Sequence, residues 1–265
     1  MDQQAAAFDA AGADYAELAS RLWDELGQIL AGYAAPRRGE RVLDACCGTG
    51  ASALPAARAV GPTGRVDAVD LAPSLLAHGR VAATGLPQLR FIHGDVSRWR
   101  PADGPYDLVQ SGYGVFFLPD MDAGGSHLVS LLRPGGRFAV QTWRQGALAS
   151  FAACLFDTVA AEAPAQLPRW QPPSASGRID TSAKLSGWLS SLGLVDGRVW
   201  NVDYVQPLTP GLAWNMVSGS GWRLLLAGLG DSTRARIRGG LLRRIRQRGL
   251  TTLDAGSLAG TAYAP

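Results

Sequence analysis

Three aspartates and two glycines carry the plainest chemistry in this 265-residue sequence. Arg41-Val-Leu-Asp-Ala-Cys-Cys-Gly-Thr-Gly50 reads as a buried strand ending near Asp44, a turn through Gly48 and Gly50, and an Ala-rich helix over 51–60. Glycines at such a bend let the backbone touch a bound molecule, and the next helix offers unpaired N–H groups. Gly64-Arg-Val-Asp-Ala-Val-Asp70 is a second strand, and its final carboxylate falls 20 residues after Gly50, where it can take two ribose hydroxyls. Phe91-Ile-His-Gly-Asp95-Val96 ends a third apolar run in a carboxylate placed for an adenine amino group. One such Asp alone reads as a cap or turn residue. Three at successive strand ends read as a nucleoside site.

Charge narrows the nucleoside. A carboxylate four residues ahead of the first glycine sits badly against a pyrophosphate but well against a cation. S-adenosylmethionine has an ammonium group, a sulfonium and no phosphate. Gly48-Thr-Gly50-Ala-Ser-Ala53 by itself also matches a degenerate dinucleotide fingerprint, so this assignment rests on the three strand ends together.

Five segments, Val42 to Gly50, Val69-Asp-Leu-Ala-Pro-Ser-Leu-Leu76, Gly94-Asp-Val96, Tyr106-Asp-Leu-Val-Gln-Ser-Gly112 and Leu132-Arg-Pro-Gly-Gly-Arg-Phe138, occur in one order over residues 38–143. In them the chain resembles the class I S-adenosylmethionine-dependent methyltransferases, in particular the branch with ubiquinone/menaquinone-type and secondary-metabolite enzymes. The resemblance implies an α/β, Rossmann-like, doubly wound and mostly parallel seven-stranded sheet, with an N-terminal helical segment and a helical cap late in the chain. Residues 1–35 would cover the site, 36–145 form the cofactor-binding core, and 146–265 supply the cap and the last strands. It further implies that Tyr15, Asp44, Cys46, Gly48, Gly50, Asp70, Leu71, Leu75, Asp95, Val96 and Ser111 bind the cofactor, with S-adenosylhomocysteine as product. Tyr15 would cover the cofactor near its methionine end, and reads equally as an amphipathic aromatic at a helix edge. Leu75 would lie against the adenine, and reads equally as core.

The elements that must hold these residues follow from period and punctuation. Helices are expected over 5–11 and 14–34, the second with Tyr15, Leu18, Leu22, Leu26, Ile29 and Leu30 on one face. Strands are expected over 41–45, 64–70, 89–93, 107–111 and 137–143, with helices from Pro73 to about 83 and over 121–132. Arg133-Pro-Gly-Gly136 reads as the turn before the fifth strand. Beyond it come a helix over 147–163, an irregular Pro/Ser-rich stretch over 164–178, a helix capped at Asp180-Thr-Ser, one strand over 197–208, helical pieces around Trp214 and Trp222, a helix over 233–248 and a last strand within 256–263.

Ser111-Gly-Tyr-Gly-Val-Phe-Phe-Leu-Pro119 leaves the fourth strand where an open parallel sheet binds ligands. Tyr113, Phe116 and Trp143 are therefore the expected acceptor pocket, although Phe116 and Trp143 read as core as readily. Methyl transfer from a sulfonium needs the acceptor atom about 3 Å from the methyl carbon, in line with the departing sulfur, and little else. A base is required only where the nucleophile keeps its proton. Tyr113 is the better candidate and His127 the other. The abundant aromatics, Trp143, Trp170, Trp214 and Trp222 among them, favour an apolar or aromatic small-molecule acceptor from secondary metabolism, methylated on oxygen before nitrogen or carbon. A cyclase or isomerase that keeps the cofactor as a fixed electrostatic element is the alternative, followed by a ligand-binding protein without turnover.

Several classes are disfavoured. No apolar run approaches the ~20 residues of a membrane span, and Met1-Asp-Gln-Gln does not open a signal peptide, so a cytoplasmic site is expected. Cys46, Cys47 and Cys154 suggest no disulfide framework, and with His78, His93 and His127 they form no metal set. The net charge is +3, Lys184 is the only lysine, and this arginine usage suggests a GC-rich bacterial source. Arginines 234, 236, 238, 243, 244, 246 and 248 surround one helix and read as a solvated face, with no nucleic-acid partner. The motifs of base-methylating DNA enzymes are missing: Ser111-Gly-Tyr-Gly stands where an Asn/Asp-Pro-Pro-Tyr/Phe would, and Cys154 follows Ala153 where a proline would be required. A homodimer is compatible with the sequence.

Overall fold

The computed structural model describes residues 3–169 and 175–265; Trp170 lies outside the described residues. Alternate residues of the central strands are apolar towards both faces, so the sheet must be covered on both sides. The strands are β1 (Arg41–Ala45), β2 (Arg65–Asp70), β3 (Leu89–His93), β4 (Tyr106–Gly112), β5 (Leu132–Trp143), β6 (Val195–Val202) and β9 (Ser257–Tyr263). They form one seven-stranded sheet in the order β3-β2-β1-β4-β5-β9-β6. β1 to β5 pair in parallel, while β9 runs antiparallel to both β5 and β6. This is a Rossmann-like, doubly wound fold, with its topological switch between β1 and β4. The loops leaving those two strands diverge there and open a crevice.

Val42, Val66, Ala68, Leu108 and Ala139 face one layer, built from α2 (Asp24–Ala34), α3 (Ala53–Val60) and α4 (Pro73–Ala82). Their neighbours Leu43, Val69, Val109, Phe138 and Val140 face the other, built from α5 (Met121–Ser130) and α7 (Ser182–Ser191). A third cluster forms the cap. It joins Leu18, Leu22 and Leu26 to α6 (Ala149–Glu162), α8 (Pro210–Ser218) and α9 (Asp231–Gln247). In α9, Ile237, Leu241 and Ile245 recur every four residues and are buried, at about 1.5–3 kcal/mol each. Its arginines turn outward: Arg236 pairs with Glu162, Arg248 with Asp157, and Arg238 lies 5.8 Å over the Trp214 ring.

Four sequence expectations change. The expected strand over 197–208 is two strands, because the chain leaves the main sheet after Val202 and β7 (Val205–Pro207) pairs with β8 (Thr252–Asp254) in a separate ribbon. Arg133-Pro-Gly-Gly136 is no simple turn. Leu132 already pairs with Tyr106, and these four residues form a bulge within β5. The stretch over 164–178 carries short 3-10 turns at Pro164–Arg169 and Ser176–Arg178. The N-terminal helices run together as α1 (Gln3–Leu18), kinked at Gly12 where φ is +37°, followed by a π-helical turn, Ala19–Trp23, and then α2. Among the described residues no helix is long and apolar enough to cross a membrane, and no group of His, Cys, Asp and Glu could hold a metal ion.

Candidate functional site

A cavity of about 650 Å³ opens at the switch point. At one end the backbone of the β1–α3 loop turns through Cys46 and Gly48, both with positive φ (+61° and +55°). Gly48 packs so closely that a Cβ there would stand 2.8 Å from the Tyr15 hydroxyl oxygen. Its N–H donates to Asp70 Oδ2 at 2.8 Å, and the Ala72 N–H donates to Oδ1 at 2.9 Å. Each carboxylate oxygen so engaged keeps a lone pair for a further donor. Burial pushes the Asp70 carboxyl above its ordinary value, and these N–H groups pull it back.

Leu71, Leu75 and Val96 add apolar wall beside Asp70. Leu71 is 40% exposed, a large side chain left open beside the cavity. Asp95 lines the same end; its Oδ1 accepts from the Ser97 N–H and hydroxyl, and its Oδ2 lies 4.0 Å from Arg98. Two carboxylates, a tight glycine turn and an apolar slot fit a nucleoside bearing ribose hydroxyls and a positive charge, and they repel a pyrophosphate.

The other end is aromatic. Tyr113 and Trp143 lie with ring centroids 4.3 Å apart, and Trp23 reaches both, at 5.3 and 5.7 Å. Tyr15 stacks on Trp23 at 6.3 Å and 19°, and Phe8 bridges Tyr15 and Phe117. Phe116, Leu148, Met216 and Trp222 complete this wall.

The expected site residues thus divide. Tyr15, Cys46, Gly48, Asp70, Leu71, Leu75, Asp95, Val96, Tyr113, Phe116 and Trp143 line one cavity. Asp44, Gly50, Ser111 and His127 are not on its wall, and each has another task. Asp44 is fully buried and accepts from the Ser52 hydroxyl at 2.7 Å and Gln110 Nε2 at 2.9 Å, bracing the loop from behind. Gly50, at φ +91°, turns the chain where a Cβ would strike the Phe91 ring at 2.5 Å. Ser111 donates to the Ala45 carbonyl at 2.9 Å. His127 Nε2 lies 2.9 Å from the Trp99 carbonyl oxygen, between α5 and the loop after β3.

Tyr113 has φ +56°, and its hydroxyl is committed. It accepts from Gln141 Nε2 at 3.0 Å and lies 2.5 Å from Ser257 Oγ, whose own proton goes to the Ala255 carbonyl. The phenolic proton therefore points to Ser257, and burial raises the phenol above its ordinary range. Trp23 and Gln141 also line the cavity, and sequence reasoning missed both. An unbroken α-helix leaves residues 15 and 23 about 80° apart around its axis, eight steps of ~100°. The wide π-helical turn brings them onto one wall, and no local pattern announced it.

Burial raises the Asp44 carboxyl to about 6, against the lowering effect of Ser52 and Gln110. The folded state then binds its proton more tightly than the unfolded chain, whose carboxyl titrates near ~3.9. Its contribution to stability is greatest below that pH and declines through about pH 6. Asp44→Asn is expected to remove about 3 kcal/mol of this decline. Urea midpoints at pH 4 and pH 7 check it; parallel behaviour of the two proteins would contradict the assignment.

Residues 42–136 match the model described as a methyltransferase domain. The chain is 36% identical over 135 residues to aklanonic acid methyltransferase DauC of Streptomyces sp. strain C5, a match covering 50% of this chain and 61% of that protein. It is 33% identical over 100 residues to the demethylmenaquinone methyltransferase of Staphylococcus aureus, covering 38% of this chain and 42% of that one. Both matches thus span less than two thirds of the relative. The crystal structure of the YcgJ protein of Bacillus subtilis shares the fold, with a TM-score of 0.57 at 14% identity, over 91% of this chain and 98% of that one.

Proposed function

We propose, on the premise that residues 42–136 are a class I S-adenosylmethionine-dependent methyltransferase domain, that the chain methylates an apolar or aromatic small molecule, on oxygen. The observation that carries this reading is the continuity of one cavity from the Gly48–Asp70 end to the aromatic wall of Trp23, Tyr113 and Trp143. S-adenosylmethionine, when bound, supplies a methyl group on a positively charged sulfur that leaves as a neutral thioether. The chain's residues then have three tasks. Asp70 holds ribose hydroxyls, Leu71, Leu75 and Val96 cover the adenine, and Gly48 lets the backbone approach the methionine end beneath Tyr15. The aromatic wall holds the acceptor against that end and keeps water out.

Among the described residues, the aromatic wall offers the acceptor no ready base. The Tyr113 proton is directed to Ser257, His127 lies elsewhere, and Asp180 at the cavity edge is paired with Lys184 at 2.7 Å. An acceptor hydroxyl must therefore be acidic enough to ionise unaided, which favours a phenol or a carboxylic acid. Tyr113→Phe is accordingly expected to leave kcat/KM within about threefold, while costing about 1–2 kcal/mol of stability through the unpaired Gln141 and Ser257 groups. A hundredfold fall in kcat at unchanged KM would make the phenol a base after all.

The direct test incubates the protein with S-adenosylmethionine and a panel of phenols, aromatic acids, aliphatic alcohols and amines, following S-adenosylhomocysteine release and methylated product by mass spectrometry. Release coupled to methylation of a phenol or acid supports the reading. Methylation confined to amines would overturn its oxygen preference, and conversion of an acceptor without S-adenosylhomocysteine would point to the cyclase or isomerase chemistry. With Cys46, Cys47 and Cys154 all free thiols, we place this activity in the cytoplasm.

A further inference from the structure

Gly240, Arg243, Arg244 and Gln247 recur at three- and four-residue steps, so they form one stripe along α9. That stripe faces Thr158, Ala161 and Glu162 of α6, and the two helices enclose a groove of about 140 Å³ between them, room for one small oxyanion. Small residues make the space. A Cβ on Gly240 would stand 2.9 Å from Thr158 Cγ2, so this glycine, costly inside a helix, sets the close approach of α9 to α6. Donors line the rim. The Arg243 guanidinium folds back over the glycine pair, with Nη1 3.4 Å from where a Cβ on Gly239 would stand and Nη2 3.7 Å from the one on Gly240. Arg243, Arg244 and Gln247 have no hydrogen-bond or ion-pair partner among the described residues. Thr158 spends its hydroxyl proton on the Cys154 carbonyl at 2.7 Å. The acid in the groove, Glu162, is engaged by Arg236 Nε at 3.2 Å, which leaves the charges of Arg243 and Arg244 uncompensated.

We propose that this groove binds a phosphate-type oxyanion, free or carried as a phosphomonoester, on Arg243, Arg244 and Gln247. Guanidinium forks match phosphate oxygens two at a time. Successive helix positions lie about 100° apart around the axis, so the two guanidiniums meet the anion from different sides, which suits a tetrahedral group better than a planar carboxylate. The groove is distinct from the methyl-transfer cavity. Ala152 is the last α6 residue on that cavity's wall, and Thr158 lies nearly two turns further along, roughly 9 Å up the axis. The proposal therefore stands apart from the methyltransferase reading, although α6 touches both sites.

The experiment titrates the full chain with inorganic phosphate, glycerol 3-phosphate and acetate by calorimetry, at a fixed ionic strength of about 0.15 M so that general screening is constant. Wild type should show one saturable site for phosphate, with acetate at least about fivefold weaker. Tighter binding of glycerol 3-phosphate would identify the ligand as a phosphomonoester, and equal binding would identify free phosphate; either supports the site. Arg243→Gln and Arg244→Gln should each weaken phosphate about tenfold, the loss of one charge-assisted contact. Arg246→Gln removes the same charge from an exposed position of α9 outside the groove and should leave the affinity within about twofold. Melting temperatures without phosphate should match wild type in all three variants, which reports an intact fold. Absence of a saturable site, equal affinity for acetate, or an equal loss in Arg246→Gln would overturn the proposal, the last by showing only the diffuse field of a basic helix. Should a groove variant not fold, the wild-type comparison of phosphate with acetate still decides.

Discussion

Arg137→Ala is expected to destabilise the protein by about 3–5 kcal/mol, the usual cost of stranding one member of a buried ion pair. Arg137 is 5% exposed and forks onto Glu40, with Nη1 3.0 Å from Oε1 and Nη2 2.6 Å from Oε2. Its remaining N–H groups donate to the carbonyls of Ala34 and Ala35, at 3.1 and 3.0 Å, where α2 ends in a left-handed residue at φ +48°. One guanidinium therefore ties the end of α2 and the entry to β1 onto β5. Without it, a buried carboxylate keeps only the Arg37 N–H, and two carbonyls at a helix end lose their donor. Against a total of ~5–15 kcal/mol for a typical domain, the loss is a large share. Urea unfolding checks the size. Arg137→Lys separates charge from geometry, since a lysine keeps the charge but not the fork, and should recover only part of the loss. A cost below about 1 kcal/mol, or full recovery by lysine, would show that the pair is dispensable.

That pair spans 97 residues of sequence, and no pattern along the chain announces it. Other parts were legible because their causes are local. β1 and β3 begin and end where alternation and turn residues place them, and the cap of α7 is Thr181, within the expected Asp180-Thr-Ser. The parallel core was readable because each strand ends in a Gly-, Pro- or Asp-marked loop before a helical period begins. The failures are tertiary. The apolar run continues past Val202, yet the chain leaves the large sheet there and Val205–Pro207 pairs with β8 instead.

The site shows the same division. A strand-end position says that a residue is near the switch point, but not on which side of the loop it lies. Asp44 sits in a strand covered on both faces and holds its loop through Ser52, whereas Asp70, at the end of the neighbouring strand, reaches the cavity. Gly50 and Ser111 likewise support the loops from below. Trp23 was hidden for another reason: helical periodicity assumes an unbroken α-helix, and five residues of π-helix change the phase.

Gly48→Val is expected to lower affinity for S-adenosylhomocysteine at least a hundredfold, beyond about 3 kcal/mol. Two effects combine. At φ +55° any L-residue is strained by about 1–2 kcal/mol, and a β-branched one by more. A Cβ there also meets the Tyr15 hydroxyl oxygen at 2.8 Å and ring carbons at 3.3 and 3.5 Å, so loop and ring must separate. Separation breaks the hydrogen bond from the Gly48 N–H to Asp70 and turns that carboxylate away from the ribose hydroxyls we propose it holds. The two causes are separable by calorimetry. Gly48→Ala keeps much of the backbone strain and the contact with the Tyr15 oxygen, and Tyr15→Phe added to it removes that oxygen alone. If the close approach dominates, the double variant recovers most of the affinity; if the left-handed backbone dominates, it recovers little. Wild-type affinity in Gly48→Val would mean that the β1–α3 loop does not hold the methionine end, and the cofactor would have to lie elsewhere in the cavity.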